Sequence, residues 1–163
     1  MDSGLWYILG RYCLYRRGGD INLLRQSWTS LQRAFLWLRC QDSNECGLLE
    51  VHEAMDWADL FANRYNVLYD NVLYYGCALA MGQMARSLGE DGSRYRQMAQ
   101  DVRRKVNLLL WVGPEQERDL EWVIRNRREW LYPIRLTDVV LVQRPYYLPY
   151  MAFRDYGDRC DVL

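Results

Sequence analysis

Charge of one sign is the first thing this sequence lacks. Lys and Arg together number 21, and so do Asp and Glu, so no net charge remains at neutral pH. A protein that neutralises nucleic-acid phosphates carries a basic excess, so no nucleic-acid partner is expected. The short basic runs Arg103-Arg104-Lys105 and Arg125–Arg128 read as solvated helix faces. Histidine is nearly missing: His52 stands alone. One imidazole offers no obvious Ser/His or Cys/His nucleophile system. With Cys40 and Cys46 it still leaves a structural zinc site a ligand short, so no metal and no cofactor is expected. No glycine-rich loop is present to cradle a phosphate. No segment approaches the ~18 uncharged apolar residues that suggest a membrane span, so no membrane partner is expected. The five cysteines are odd in number and irregular in spacing, and the opening residues lack a secretory pattern. Reduced thiols in a cytoplasmic compartment fit that usage.

Half of the 163 residues are apolar, which is ordinary for a globular domain with a real core. The aromatic set is unusual: seven Trp, thirteen Tyr and three Phe. Trp and Tyr join an apolar face to a polar edge. They serve cores, and they also serve clefts that stack sugar rings; composition does not separate the two uses.

Periodicity predicts four helices. The first, from about Gly4 to Arg17, is apolar on every side, the mark of a buried helix. Gly18-Gly19 ends it, and Asp20 is placed to cap the next. The second, from about Ile21 to Cys40, carries one apolar stripe: Leu24, Trp28, Leu31, Phe35 and Leu38. A long non-periodic segment follows to about Asn63. The third helix, about Arg64 to Leu88, is again apolar nearly all round, and Gly89 stops it. The fourth, about Ser93 to Trp111, is amphipathic, with Ser93 or Asp91 as its cap. Buried and half-buried helices alternate. That order suits helical hairpins stacked with one member inside and one outside, as in a closed double ring or a solenoid. No short repeat is visible, which favours the ring. Beyond Gly113-Pro114 a short helix to about Tyr132 is expected. Extended chain or short strands are expected around Val139–Val142, Pro145 and Pro149.

Two segments hold groups suited to chemistry. The first is Glu50-Val51-His52-Glu53-Ala54-Met55-Asp56-Trp57-Ala58-Asp59. Glycoside hydrolysis uses two carboxyl groups, one to protonate the leaving oxygen and one to activate water or attack carbon. A carboxyl beside Trp57 has the apolar setting that raises an acid towards neutral pH. Asp56 and Asp59 are three apart, so on a helix their Cβ atoms lie about 5–6 Å apart. An inverting pair needs roughly 6.5–9.5 Å between carboxyls. One acid is therefore expected here and its partner elsewhere. The plain structural reading is Asp56 as a helix N-cap, with Asp59 in the first turn. The second segment, Arg144 to Asp158, interleaves aromatics with Arg154, Asp155 and Asp158. It reads equally as a sugar cleft or as an aromatic loop packed on helix ends.

Gly47-Leu48-Leu49-Glu50, Asp56-Trp57-Ala58-Asp59 and Val67-Leu68-Tyr69-Asp70-Asn71-Val72-Leu73-Tyr74-Tyr75 follow one another in order. So do Arg144-Pro145-Tyr146-Tyr147-Leu148-Pro149-Tyr150 and Phe153-Arg154-Asp155-Tyr156-Gly157, and Asp2-Ser3-Gly4-Leu5-Trp6 opens the chain. Together they resemble the six-hairpin glycosidases, nearest the amylo-α-1,6-glucosidase, or glycogen-debranching, type and its family 63-like relatives. The resemblance implies an all-α fold, part of an (α/α)6 toroid. It implies hydrolysis of α-glucosidic bonds with inversion and an oligosaccharide or glucosyl substrate. It casts Asp59 as general acid, with Asp56 and Trp57 shaping its site, and Asp2, Trp6, Arg64 and Tyr69 as further sugar contacts. Six hairpins of about 40–50 residues each would exceed this length. A toroid cut short at its C-terminal end is therefore expected over residues 1–163, with the catalytic base, a later Glu, outside it. Uncovered toroid faces would then favour self-association. The competing expectations are a non-catalytic helical module that binds sugar or a partner, and a fragment without activity of its own.

Overall fold

A computed structural model describes residues 1–43, 45–52, 55–57, 63–112, 146–147 and 150–151. Its order is α1 (Asp2–Gly18), α2 (Ile21–Arg39), β1 (Asn66–Val67), α3 (Leu68–Ser87), α4 (Ser93–Leu109), β2 (Trp111–Val112), β3 (Tyr146–Tyr147) and β4 (Tyr150–Met151). The caps are local chemistry. Gly19 takes a left-handed conformation at φ 68° and its N–H donates to the Tyr15 carbonyl at 2.7 Å, which closes α1. The Asp20 carboxylate then accepts the backbone N–H groups of Asn22 and Leu23 at 2.9 and 3.0 Å and opens α2. At α4 the N-cap position is Gly92, yet the preceding Asp91 accepts both the N–H and the hydroxyl of Ser93, at 2.8 and 2.7 Å.

The helices form two hairpins. α1 packs on both α2 and α3, and α3 packs on α4. α1 and α3 thus lie side by side, each backed by the helix that follows it in sequence. They run in the same direction, because Trp6 meets Tyr69, Leu9 lies nearest Gly76, and Tyr12 donates to Gln83. The apolar stripes of α2 and α4 face inward: Leu24, Trp28, Leu31, Phe35 and Leu38 are buried, as are Ala99, Val102, Val106 and Leu109. This is the all-α inner-and-outer arrangement that the sequence pattern predicts.

Two expectations need correction. α1 is not buried on every side: Leu5 and Ile8 are, but Trp6 and Leu14 are half exposed. An all-round apolar pattern marks a helix with neighbours on several faces. It does not distinguish a covered face from one that opens on a cleft. The third helix begins at Leu68, four residues later than periodicity places it. Tyr65 adopts φ 64°, and its N–H and carbonyl pair with Val51 at 2.6 and 2.7 Å. That partner is remote in sequence, so local pattern gives no sign of the bridge.

Short strands complete the fold. β1 pairs antiparallel with β4, and β2 with β3. Tyr147 lies against Trp111, the rings tilted by 57° with centroids 4.6 Å apart, and donates from its hydroxyl to Asn107 at 2.6 Å. The described part of the Arg144–Asp158 segment therefore packs on helix ends. Residues 113–145, with their expected short helix, lie outside the described residues.

α3 and α4 approach through two glycines. A Cβ on Gly92 would run into the backbone carbonyl of Gly82, which no side-chain rotation relieves. Gly92→Ala is expected to destabilise the fold by about 1–3 kcal/mol. Gly10, inside α1 with open space around its Cα, is the control. There Ala should stabilise by roughly 0.5–1 kcal/mol. Urea denaturation midpoints that move in opposite directions confirm both; a neutral Gly92→Ala would mean that the hairpin contact is looser than it is drawn.

Candidate active site

Because α1 and α3 run the same way, their N-terminal ends converge. The first turn of each carries an acid, Asp2 in α1 and Asp70 in α3, where the helix dipole favours negative charge. Trp6, one turn into α1, donates from its indole N–H to the Tyr69 hydroxyl at 3.0 Å.

The described residues between α2 and β1 are fastened to the start of α3 and to the chain's first residue. Asn71 is fully buried; its Oδ1 accepts the Leu49 N–H at 2.7 Å, and its Nδ2 donates to the carbonyls of Leu49 and Val67 at 3.1 and 2.9 Å. The buried Asn66 also donates to the Leu49 carbonyl, at 3.1 Å. Leu48, Leu49 and Val51 are buried beneath this anchor. The Met55 N–H donates to the His52 carbonyl at 3.1 Å, and the Met1 α-amino group donates to the Met55 carbonyl at 2.8 Å. The turn that results carries Asp56, which is buried, and Trp57, which is 65% exposed. The Trp57 ring meets Tyr69 edge-on, with centroids 5.8 Å apart.

The aromatic residues thus divide into two sets. Phe35 packs against Tyr74 and Tyr95 at 5.6 and 5.3 Å, and Trp28 against Tyr95 at 6.3 Å, joining α2, α3 and α4 in the core. Trp6, Tyr69 and Trp57 form a separate group, in which the Tyr69 hydroxyl accepts from the Trp6 indole and its ring meets Trp57. Exposed tryptophans held in this way present flat apolar surface to solvent, as a sugar ring requires.

Asp70 is 0% exposed, and among the described residues neither of its carboxylate oxygens has a hydrogen-bond partner. Burial pushes its carboxyl up to about 7; the charge on Asp56 adds to the rise, the Met1 α-amino group opposes it, and Asp2 adds further. The folded chain keeps this proton over a range where the unfolded chain has released it. Asp70's contribution to stability is therefore full below pH 3.8 and is lost progressively as pH rises to about 7.

Of the residues that sequence reasoning assigned, Trp6, Trp57 and Tyr69 are in contact, and Asp2 and Asp56 act on one buried carboxyl. The Arg64 guanidinium lies over Tyr65, 5.3 Å from the ring centroid. Asp59, the expected acid, lies outside the described residues, and so does the helix that Asp56 would cap. Sequence reasoning did not single out Asp70, Asn66 or Asn71 as site residues. A signal existed: Asp70 and Asn71 interrupt an otherwise apolar helix start, and buried polar groups need a stated partner. His52 and Cys40 are exposed while Cys46 is buried, and among the described residues no group of acids, His and Cys is arranged to hold a metal. Among the described residues no helix is long and apolar enough to cross a membrane.

Residues 5–134 match the family described as the bacterial alpha-L-rhamnosidase 6 hairpin glycosidase domain. No curated protein and no solved structure matches the chain.

Proposed function

The chain belongs to the bacterial alpha-L-rhamnosidase six-hairpin glycosidase family, and from that premise we propose that it supplies the acid-bearing part of an enzyme that hydrolyses α-glycosidic bonds with inversion. The observation that carries this reading is the contact of Tyr69 with Trp6 and Trp57, with the buried acids Asp56 and Asp70 adjoining Trp57 and Tyr69 in sequence. The rings bind the face of a terminal sugar. Asp59, two residues beyond Trp57 in sequence, protonates the departing oxygen. A later Glu, outside these residues, activates the water. Asp2 and Arg64 contact sugar hydroxyls from the rim. The sequence motifs favour an α-1,6-linked glucosyl substrate of the glycogen-debranching kind, and the family description names an α-L-rhamnoside. Both present an α-linked ring to the same wall. A reduced, cytoplasmic setting agrees with the odd number and irregular spacing of the five cysteines. Exposed Leu14, Leu36, Trp37 and Val72 give this domain faces for self-association.

The test is turnover of the full-length protein on isomaltosyl oligosaccharides and on p-nitrophenyl α-L-rhamnopyranoside. Proton NMR then identifies the anomer that is released first. Release of the opposite anomer supports the reading; no hydrolysis of any α-glycoside sinks it. Trp57→Ala sharpens the result. Its ring is mostly exposed, so stability should change by less than about 0.5 kcal/mol. KM should nevertheless rise roughly 3- to 10-fold, the worth of one lost aromatic contact. An unchanged KM would remove Trp57 from the sugar site.

A further inference from the structure

We infer that Tyr69 determines specificity as a directed hydrogen-bond donor: Trp6 turns its hydroxyl proton outward, and the site selects a sugar that presents an acceptor oxygen to that proton. The inference deepens the glycosidase reading and rests on it for the claim that the bound sugar is a substrate. An indole N–H can only donate, so in the 3.0 Å hydrogen bond between Trp6 and Tyr69 the phenol oxygen accepts. Conjugation keeps a phenol proton near the plane of its ring, on one side of the oxygen or the other. The Trp6 N–H approaches one side, so the proton turns to the other. The Tyr12, Tyr74 and Tyr147 hydroxyls use this proton within the protein, donating to Gln83 Oε1, Met98 Sδ and Asn107 Oδ1. Among the described residues the Tyr69 hydroxyl accepts and has no acceptor of its own.

The surroundings suit that donor to a sugar. Tyr69 sits in the first turn of α3, half-buried, and touches two more exposed rings, Trp6 at 51% and Trp57 at 65%. Its own ring meets Trp57 edge-on with centroids 5.8 Å apart, so the hydroxyl lies beside apolar aromatic surface. A pyranose has the matching pair of features: a C–H face that packs on an indole, and oxygens at its edge that accept from a neighbouring O–H. In the free protein, water takes the Tyr69 proton. A sugar oxygen in that place exchanges one hydrogen bond for another. A sugar without it covers the rings and leaves the proton without a partner, which is the costlier state. The selection is therefore made against the deoxy analogue. Trp6 is a positioning residue here: it acts through the Tyr69 oxygen, by fixing which way the proton points.

The experiment is heteronuclear NMR of the tryptophan indole N–H groups in the full-length protein, titrated with methyl α-D-glucopyranoside and with methyl α-L-rhamnopyranoside. The resonance lost in Trp6→Phe belongs to Trp6. Without sugar it is expected to move upfield in Tyr69→Phe, because the N–H loses its acceptor. One of the two glycosides is expected to move it downfield in the unaltered protein, since a phenol that donates becomes a stronger acceptor. One monodeoxy analogue of that glycoside should leave Trp6 unshifted and bind about 2- to 10-fold more weakly, the worth of one neutral hydrogen bond. Tyr69→Phe should weaken the parent glycoside by the same factor and bind that analogue as tightly as the unaltered protein does. The deoxy series on the unaltered protein decides the matter if Tyr69→Phe does not fold. Four results overturn the inference: a Trp6 resonance that Tyr69→Phe leaves in place, a sugar-induced shift that persists in Tyr69→Phe, a deoxy series in which every analogue shifts Trp6, or no shift with either glycoside. Turnover is read separately. Hydrolysis of an α-glycoside together with any of those results overturns only the role of Tyr69. The expected shifts in a protein that cleaves no α-glycoside support that role and overturn the glycosidase reading.

Discussion

Replacing Asp59 with Asn is expected to lower turnover of an alkyl or sugar α-glycoside by about 10²–10⁴-fold, the usual contribution of a general acid. The decisive feature is how that loss depends on the leaving group. An alcohol leaves badly as an alkoxide and needs a proton in the transition state. Fluoride leaves as a stable anion and needs none. The corresponding α-glycosyl fluoride should therefore be cleaved by Asp59→Asn at a rate close to that of the unaltered enzyme. On the proposed mechanism, water attack and ring binding are untouched by the substitution. KM for the oligosaccharide should change little, because an amide of the same shape still fills the position. Measured kcat and kcat/KM for both substrates decide the matter. A loss of equal size with fluoride and with alcohol leaving groups would make Asp59 a binding or structural residue. Unchanged turnover on both would remove it from the site.

The part of this site that was legible in sequence was the part set by short-range chemistry. Asp20 and Gly19 act at neighbouring residues, and their caps are found as predicted. The stripes of α2 and α4 follow helical spacing and are buried as read. What escaped was set by distant partners. Tyr65 pairs with Val51 across the intervening segment, so α3 begins later than its apolar pattern suggests. The role of each tryptophan is likewise non-local: Trp28 enters the core and Trp57 stays outside for reasons of packing, not of neighbouring residues. Asp70 is the instructive case. An acid in the first turn of a helix is ordinary, because the dipole favours it there. Only the burial of that carboxyl, with the charge of Asp56 acting on it, changes its chemistry. Spacing argued that one acid of the pair lies near Trp57 and the other far away, and the structure adds a buried carboxyl within the site that spacing did not register.

Asn71→Ala should produce the largest loss of stability among side chains at this end of the molecule. The Asn71 amide replaces a strand partner for Leu49, accepting from its N–H and donating to its carbonyl. Alanine removes both groups. The Leu49 carbonyl keeps Asn66 as a donor, but the buried Leu49 N–H loses the Asn71 oxygen that accepts it. An orphaned buried N–H costs about 1–3 kcal/mol. The lost bonds to the two carbonyls and the space left by the side chain bring the expected total to roughly 3 kcal/mol. For a domain of this size that lowers Tm by roughly 6–12 °C. Val72→Ala, next in sequence but half exposed, is the control and should stay within about 0.5 kcal/mol. The consequence for function follows from what the anchor holds. Leu49 fixes the start of the segment that carries Asp56, Trp57 and Asp59. A displacement of about 1 Å in a catalytic group costs on the order of 100-fold in rate. Turnover should therefore fall by about that factor even well below the new Tm, where the helices remain folded by circular dichroism. If Asn71→Ala melts within about 0.5 kcal/mol of the unaltered protein, the segment is not anchored through Leu49. If it melts early but keeps full activity at low temperature, the anchor stabilises the fold without setting the position of the acid.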